Sequence, residues 1–415
     1  MPITSSGLTH GDLTADWQER FNVERMREYR VERARQTMRK HGVAALLEAS
    51  PNYIRYLTGT IGYPHPMVRY TLFFAEHDPI LFEHDGWYHQ MPDQAPWIKE
   101  WRPAQAWLVA APGVDASRYQ AKIFAAGIKS ELEARGLLGE KIGINGFDGF
   151  ANEALREAGI TNLMTSHSLM LEARAVKGPD EIKCMKHVAA IVESMWFKVW
   201  ESLKPGVTDV EIGAIASYQG LMAGADNPVT GGWRSGPLGF DRGFANTGRI
   251  IQSGDLVYGS LCGVTYQGYR TCTYRTFKVA AEPTQKEKDW YKELRDRLDA
   301  IIDEIKPGKT TADAAKHFPP ASKWGYKDEM EVLASEVGHG IGLAQGGSYD
   351  YPIINRAWSF DFPQVFEEGM CLAVESREGE HRVGGVRLEN MLVITKDGAE
   401  IIDHFPREEI LVAPL

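Results

Sequence analysis

Short apolar runs alternate with stretches of helical period over roughly the first 165 residues. Residues 26–41 (MREYRVERARQTMRKH) are charged, repeat with helical period and are closed by Gly42, which predicts a helix with a glycine stop. Residues 43–48, 68–75, 79–83 and 141–145 read as strands, and 117–135 as a second long helix. Strands and helices in alternation predict an α/β domain. Residues 1–20 read as a polar arm.

The pattern changes at Arg174-Ala175-Val176-Lys177-Gly178-Pro179-Asp180, where Gly-Pro stops one element and Pro-Asp-Glu starts another. A long helix is expected to about residue 203. Lys204-Pro205-Gly206 ends it, and Thr208 leads the next helix. The device recurs as Lys306-Pro307-Gly308 with Thr310 after it. A strand-rich block follows each copy, over 229–279 and 337–402. The matching order predicts two related halves about a pseudo-twofold axis, with a cleft between them as a natural site. The expected domains are 1–175 and 176–415.

Residues 254–277 read as two strands joined by a turn near 265–268. Pairing symmetric about Gln267 sets Cys262 opposite Cys272, with Cβ atoms about 5 Å apart. A one-residue bulge puts Leu261 there instead.

Composition narrows the function classes. The 415 residues are 43% hydrophobic and 25% charged, as in soluble globular chains. A net charge of −10 gives no general attraction to nucleic acid or anionic membranes. There is no apolar run of spanning length and no signal-peptide pattern. Four scattered cysteines, Cys184, Cys262, Cys272 and Cys371, favour a reducing cytosol over a disulfide scaffold.

The second half carries the candidate chemistry. Gly338-His339-Gly340 sets a histidine in what reads as a glycine loop, residues 369–375 are an apolar strand ending in Glu375, and Arg387 and Glu389 lie two apart on one strand face. Singly, each has a bland reading: a satisfied histidine, a wet-face glutamate, a surface ion pair. The two cysteines read equally well as small packing residues.

In order, the hairpin, Gly-His-Gly, strand-Glu and strand-Arg-x-Glu resemble the pita-bread family of methionine aminopeptidases, prolidases, creatinases and dimethylsulfoniopropionate lyases (family M24). The resemblance covers nearly the whole chain, including the 173–183 junction. Met26-Arg27-Glu28-Tyr29-Arg30 and Asn52-Tyr53-Ile54-Arg55-Tyr56 are most similar to the lyase branch. It implies an α/β (α+β) chain with a creatinase-like N-terminal domain and a pita-bread catalytic domain. Metal-using relatives hold two ions through Asp, Asp, His, Glu, Glu. The last three match His339, Glu375 and Glu389. The second Asp matches Cys272, anchored by Arg275, and the first matches Leu261 or Cys262.

Two readings follow from this. In one, the site holds no metal, and His339, Glu375 and Glu389 act on substrate directly. In the other, Cys262, Cys272, His339 and Glu375 hold a single Zn²⁺. The histidine that creatinases and prolidases carry before the hairpin falls at Gly243 or Phe244. The acidic base of the lyases falls at Gln345, which takes no proton at neutral pH. Arg69 matches an arginine that in relatives lies near the substrate and can come from a partner subunit; the bland reading is a surface arginine at a strand start. The resemblance thus implies a homodimer that cleaves C–N, or alternatively C–S, in a small polar carboxylate, and the cysteine usage adds a cytosolic location as an expectation. Cys262, Cys272, Arg69 and Arg387 would be substrate contacts. A non-catalytic binding protein on the same fold is the third alternative.

Overall fold

The structure, a computed structural model, describes residues 21–62, 68–105, 107, 111–241, 243, 245–332, 336–344 and 349–414. The arm expected over 1–20, and the positions of Phe244 and Gln345, lie outside them. The chain divides into two compact units, one over Val23–Arg174 and one from Ala175 onward that also holds Phe21 and Asn22.

The first unit is built on a six-stranded sheet of β1 (Ala45–Glu48), β2 (Tyr70–Phe74), β3 (Ile80–Glu83), β4 (Glu100–Pro103), β5 (Ile142–Asn145) and β6 (Leu163–Thr165), in the order β4-β3-β2-β1-β5-β6. Strands β1 to β3 are buried on both faces, which is why they read as unbroken apolar runs. Helices α1 (Val23–His41), α2 (Pro51–Thr58), α3 (Val114–Ala134) and α4 (Gly149–Glu157) surround the sheet sequence. Phe124, Ile128 and Leu132 of α3 pack on Leu47, Leu72 and Phe74. Gly42 stops α1 at φ +62°, and the Val43 N–H returns to the Met38 carbonyl at 2.9 Å, closing the helix end.

In the second unit, helices α5 (Pro179–Ser202) and α6 (Asp209–Met222) precede β7 (Arg234–Ser235), β8 (Leu256–Ser260), β9 (Thr265–Tyr266), β10 (Tyr269–Arg270) and β11 (Tyr274–Val279). Helices α7 (Gln285–Glu304) and α8 (Thr311–Ala315) precede β12 (Val337–Gly340), β13 (Asp350–Ile354), β14 (Cys371–Glu380), β15 (Gly384–Thr395), β16 (Gly398–Ile401) and β17 (Leu411–Ala413). The repeated threonines both cap. The Thr208 N–H donates to Glu211 at 2.7 Å, and the Thr310 N–H to Asp313 at 2.9 Å, each in a capping box. The main sheet runs β13-β12-β14-β15-β11-β8-β7. Its two halves meet at the antiparallel pair β11·β15, where Tyr274 faces Glu389, and run outward in matching order. The mixed α/β fold with a duplicated second unit, expected from the sequence, is the fold observed. Leu294, Leu298 and Ile301 of α7 seal one side of the second half against Leu372, Val374, Leu388 and Leu392, which leaves the opposite face of β14 and β15 for polar residues.

Candidate active site

The hairpin pairs differently from the symmetric expectation. Tyr266 faces Tyr269, so the turn is Gln267-Gly268, with φ +53° and +78°, the left-handed pair of a tight two-residue turn. Regular pairing from that turn would set Gly263 opposite Cys272. Gly263 is instead an extra residue, at φ +118°: its N–H donates to the Thr271 carbonyl, while the Thr271 N–H goes to Val264. The Leu261 N–H then finds the Thr273 carbonyl at 3.0 Å, and Ser260 faces Tyr274. Cys262 therefore does face Cys272, as a pair without hydrogen bonds of its own, where side chains come closest. Leu261 is packed away, fully buried.

Gly-His-Gly is a strand, not a loop. His339 lies on β12 between β13 and β14. The glycines are needed for close packing: a Cβ at Gly338 would lie 2.7 Å from Ile354, and one at Gly340 2.3 Å from the Tyr351 carbonyl. His339 Nδ1 is 3.0 Å from the Gly340 carbonyl, and its ring stacks on Tyr349 at 4.1 Å. A carbonyl only accepts, so Nδ1 carries the proton and the neutral ring presents a lone pair at Nε2. That atom has no hydrogen-bond partner among the described residues and lies 3.6 Å from Glu389 Oε1, which has none either.

Strands β14 and β15 supply the rest. Glu375 faces Glu389, and Arg377 faces Arg387, so all four share one face. Arg387 Nη1 approaches Glu375 Oε2 at 3.5 Å, with its guanidinium over Tyr258 and Tyr274. The pair is fully buried, so the surface ion pair and wet-face glutamate of the bland readings do not hold. Arg275 holds the backbone of Glu389, donating to its carbonyl at 2.7 Å while pairing with Asp403 at 2.7 Å.

The Sγ atoms of Cys262 and Cys272 and a carboxylate oxygen of Glu389 lie within 4.8 Å of one another. Cys262 Sγ is 3.3 Å from Glu389 Oε2. Burial pushes both thiols up, and the Glu389 carboxylate adds to it. Two thiols and a carboxylate whose ligand atoms lie this close would suit a single Zn²⁺ better than a pair of hard cations. The set differs from the one expected on sequence: Glu389, not Glu375, faces the thiols, since Glu375 is turned toward Arg387.

Arg69 belongs to the first unit. It is not a surface arginine but 3% exposed, with Nε 2.6 Å from Glu83 and Nη2 donating to Thr60. Its fork is already filled inside the first unit. Arg377 and Arg275 were the residues whose roles sequence reasoning missed. Period-two spacing from Glu375 was the available signal for Arg377.

Among the described residues, a nine-stranded duplicated sheet carries buried carboxylates and an imidazole on one face. Comparison with known proteins places it: residues 183–396 match the model of metallopeptidase family M24, and residues 30–176 match the creatinase/prolidase N-terminal domain. The chain belongs to family M24. It is 28% identical over 270 residues to an Xaa-Pro dipeptidase of Pyrococcus horikoshii, covering 63% of this chain and 72% of that one. In fold it is similar to the dipeptidase PepE of Mycobacterium ulcerans, with TM-score 0.75 and 20% identity over 95% of this chain and 100% of that one. The prolidase of P. horikoshii gives TM-score 0.70 at 22% identity, over 92% and 99%.

Proposed function

We propose that the protein is a hydrolase that cleaves the C–N bond of a short peptide ending in a free carboxylate, of the Xaa-Pro kind that its relatives' names describe. The observation carrying this reading is the buried face that sets the His339 lone pair 3.6 Å from Glu389, beside Glu375 and Arg387. Two acceptors with no donor between them suit a site that takes up a proton, a cation or a substrate N–H. Hydrolysis adds one water across one bond: the carbonyl carbon takes the hydroxyl and the leaving nitrogen takes the proton. His339 Nε2 is the atom to hold that proton between the two events, and Glu389 stabilises the imidazolium meanwhile. Glu375 keeps the Arg387 charge balanced in the closed site. Cys262, Cys272 and Glu389 would hold a single Zn²⁺, with His339 alongside; bound there, it would supply Lewis-acid polarisation of the scissile carbonyl.

A metal-free site is the second reading. It is favoured by the Cys262 thiol, which burial keeps protonated 3.3 Å from Glu389 Oε2, so this one carboxylate oxygen has a donor without an ion. Elemental analysis of dialysed protein decides between them. One zinc per chain, with activity lost in chelator, supports the first; full activity with no metal supports the second; two hard cations at full occupancy overturn both. The dipeptidase relatives favour neither C–S cleavage nor a non-catalytic scaffold, and failure to cleave any Xaa-Pro peptide would reopen both. A homodimer is expected from the family resemblance, and a solution mass of 46.4 kDa at micromolar concentration would refute it. Among the described residues no helix is long and apolar enough to cross a membrane.

A further inference from the structure

On the site face of β14, two residues beyond Glu375, Arg377 is 4% exposed. Three rings wall its guanidinium: Phe240 at 4.3 Å, Trp324 at 5.1 Å and Tyr326 at 5.8 Å. Its polar contacts are weak, with Nη1 3.3 Å from the Phe240 carbonyl and Nη2 3.5 Å from the Tyr326 hydroxyl. Among the described residues Nε has no hydrogen-bond partner, and no carboxylate forms an ion pair with the guanidinium. Glu336 is near, but it takes the Arg377 backbone N–H at 3.2 Å and the Ser376 hydroxyl at 2.5 Å. Burial holds the Glu336 carboxyl up at about 8 although Arg297, Arg377 and Arg387 pull it down, so at neutral pH it supplies little negative charge.

The other buried arginines of this unit that bear on the site have their anions. Arg275 has Asp403, and Arg387 has Glu375. A guanidinium taken out of water without an anion is costly, and its planar fork matches a carboxylate in two-bond geometry. Aromatic walls stabilise the cation while leaving the fork's edge for a ligand.

We propose that Arg377, boxed by Phe240, Trp324 and Tyr326, is the residue that recognises the free carboxylate at the C-terminal end of the substrate. It lies one side-chain pair along the strands from Glu375 and Glu389, or about 7 Å. The aromatic box suits the ring or apolar side chain of the residue that bears the carboxylate. This inference rests on the hydrolase reading above, which it deepens by making the substrate end-specific.

The test compares alanyl-proline with alanyl-prolinamide in wild type, Arg377→Gln and Arg377→Lys. Wild type should prefer the acid by about 100-fold in kcat/KM, because the site would otherwise leave a buried polar group unpaired. Arg377→Gln should bring that ratio to within about threefold of unity, mainly through KM, and Arg377→Lys should lie between. A ratio unchanged in both variants, with only a lowered Tm, makes Arg377 structural and overturns the proposal. A second arm needs no turnover. Calorimetry with N-acetylproline should show binding to wild type that weakens at least about tenfold in Arg377→Gln, while N-acetylprolinamide binds neither. If wild type cleaves neither peptide, the hydrolase reading fails and this arm alone decides. Carboxylate binding lost in Arg377→Gln then still supports the subsite, and absent or equal binding overturns it.

Discussion

Arg69 and Arg377 are buried to nearly the same depth, yet their surroundings are opposite. Arg69 has a carboxylate at 2.6 Å and a threonine hydroxyl, and the backbone is fitted around it: a Cβ at Gly62 would lie 2.3 Å from its Nε. Arg377 has aromatic faces and two weak contacts, to a carbonyl and a phenol hydroxyl, and among the described residues Nε has no hydrogen-bond partner. A completed buried pair is a fold element, since removing either partner strands a charge. An incomplete one, set beside a lone-pair imidazole and two facing glutamates, is a place kept for a ligand. The difference is one of satisfaction, not of residue type or burial.

The largest expected effect would sharpen that contrast on the site's side. His339→Ala should lower kcat by about 10²–10⁴-fold, measured against an Xaa-Pro dipeptide, because Nε2 is the proton-holding atom. On the other side, Arg69→Met should destabilise the protein by about 3–5 kcal/mol in urea unfolding, by leaving Glu83 buried and unpaired. Arg69→Met/Glu83→Leu should recover most of that loss, while kcat/KM per folded molecule stays near wild type. A normal unfolding midpoint with a raised KM would instead make Arg69 a substrate contact and break the comparison.

Cys272→Ser ranks next. It removes one soft donor from the proposed zinc set, so on that reading zinc affinity, measured by competition with a chelator, should fall by more than about 100-fold, the upper end of what loss of an outer-shell partner causes.

The smallest effect concerns buried acids. Burial lifts Glu48 in the first unit and Glu336 in the second to about 8. Such a carboxyl is protonated when folded, while the unfolded chain ionises above its ordinary value near 4.5. Its favourable contribution is full below that value and is lost as pH rises through about 8. Glu48→Gln and Glu336→Gln should each flatten the fall of Tm over this window relative to wild type. Equal slopes in wild type and variants would show that burial does not hold these protons.

Much of this was legible in the chain. The Lys-Pro-Gly device marked two helix ends followed by threonine caps, because capping is local chemistry that spacing reveals. Glu375, Arg387 and Glu389 could be placed because period two is visible without knowing the partner strand. The hairpin register could not, since it depends on which residue is left unpaired, and that is settled by the turn and by a left-handed Gly263. Gly-His-Gly passed for a loop because the need for its glycines comes from β13, a strand beyond it in sequence. The burial of Arg69 was hidden for a related reason: its partner Glu83 is one step past the Tyr70–Phe82 pair, and the pairing of β2 with β3 is needed to see it.

Gly263 has an evolutionary consequence. Which residue of the first hairpin strand confronts Cys272 is set by a count from the turn, one that includes a single unpaired glycine. A codon gained or lost between Gly263 and the turn would bring Leu261, Cys262 or Gly263 to that place without altering any ligand codon. The donor set of this hairpin is therefore open to change by insertion and deletion as well as by substitution. Lineages that share the sheet can differ in the atoms they offer a metal or substrate while every strand stays where it was.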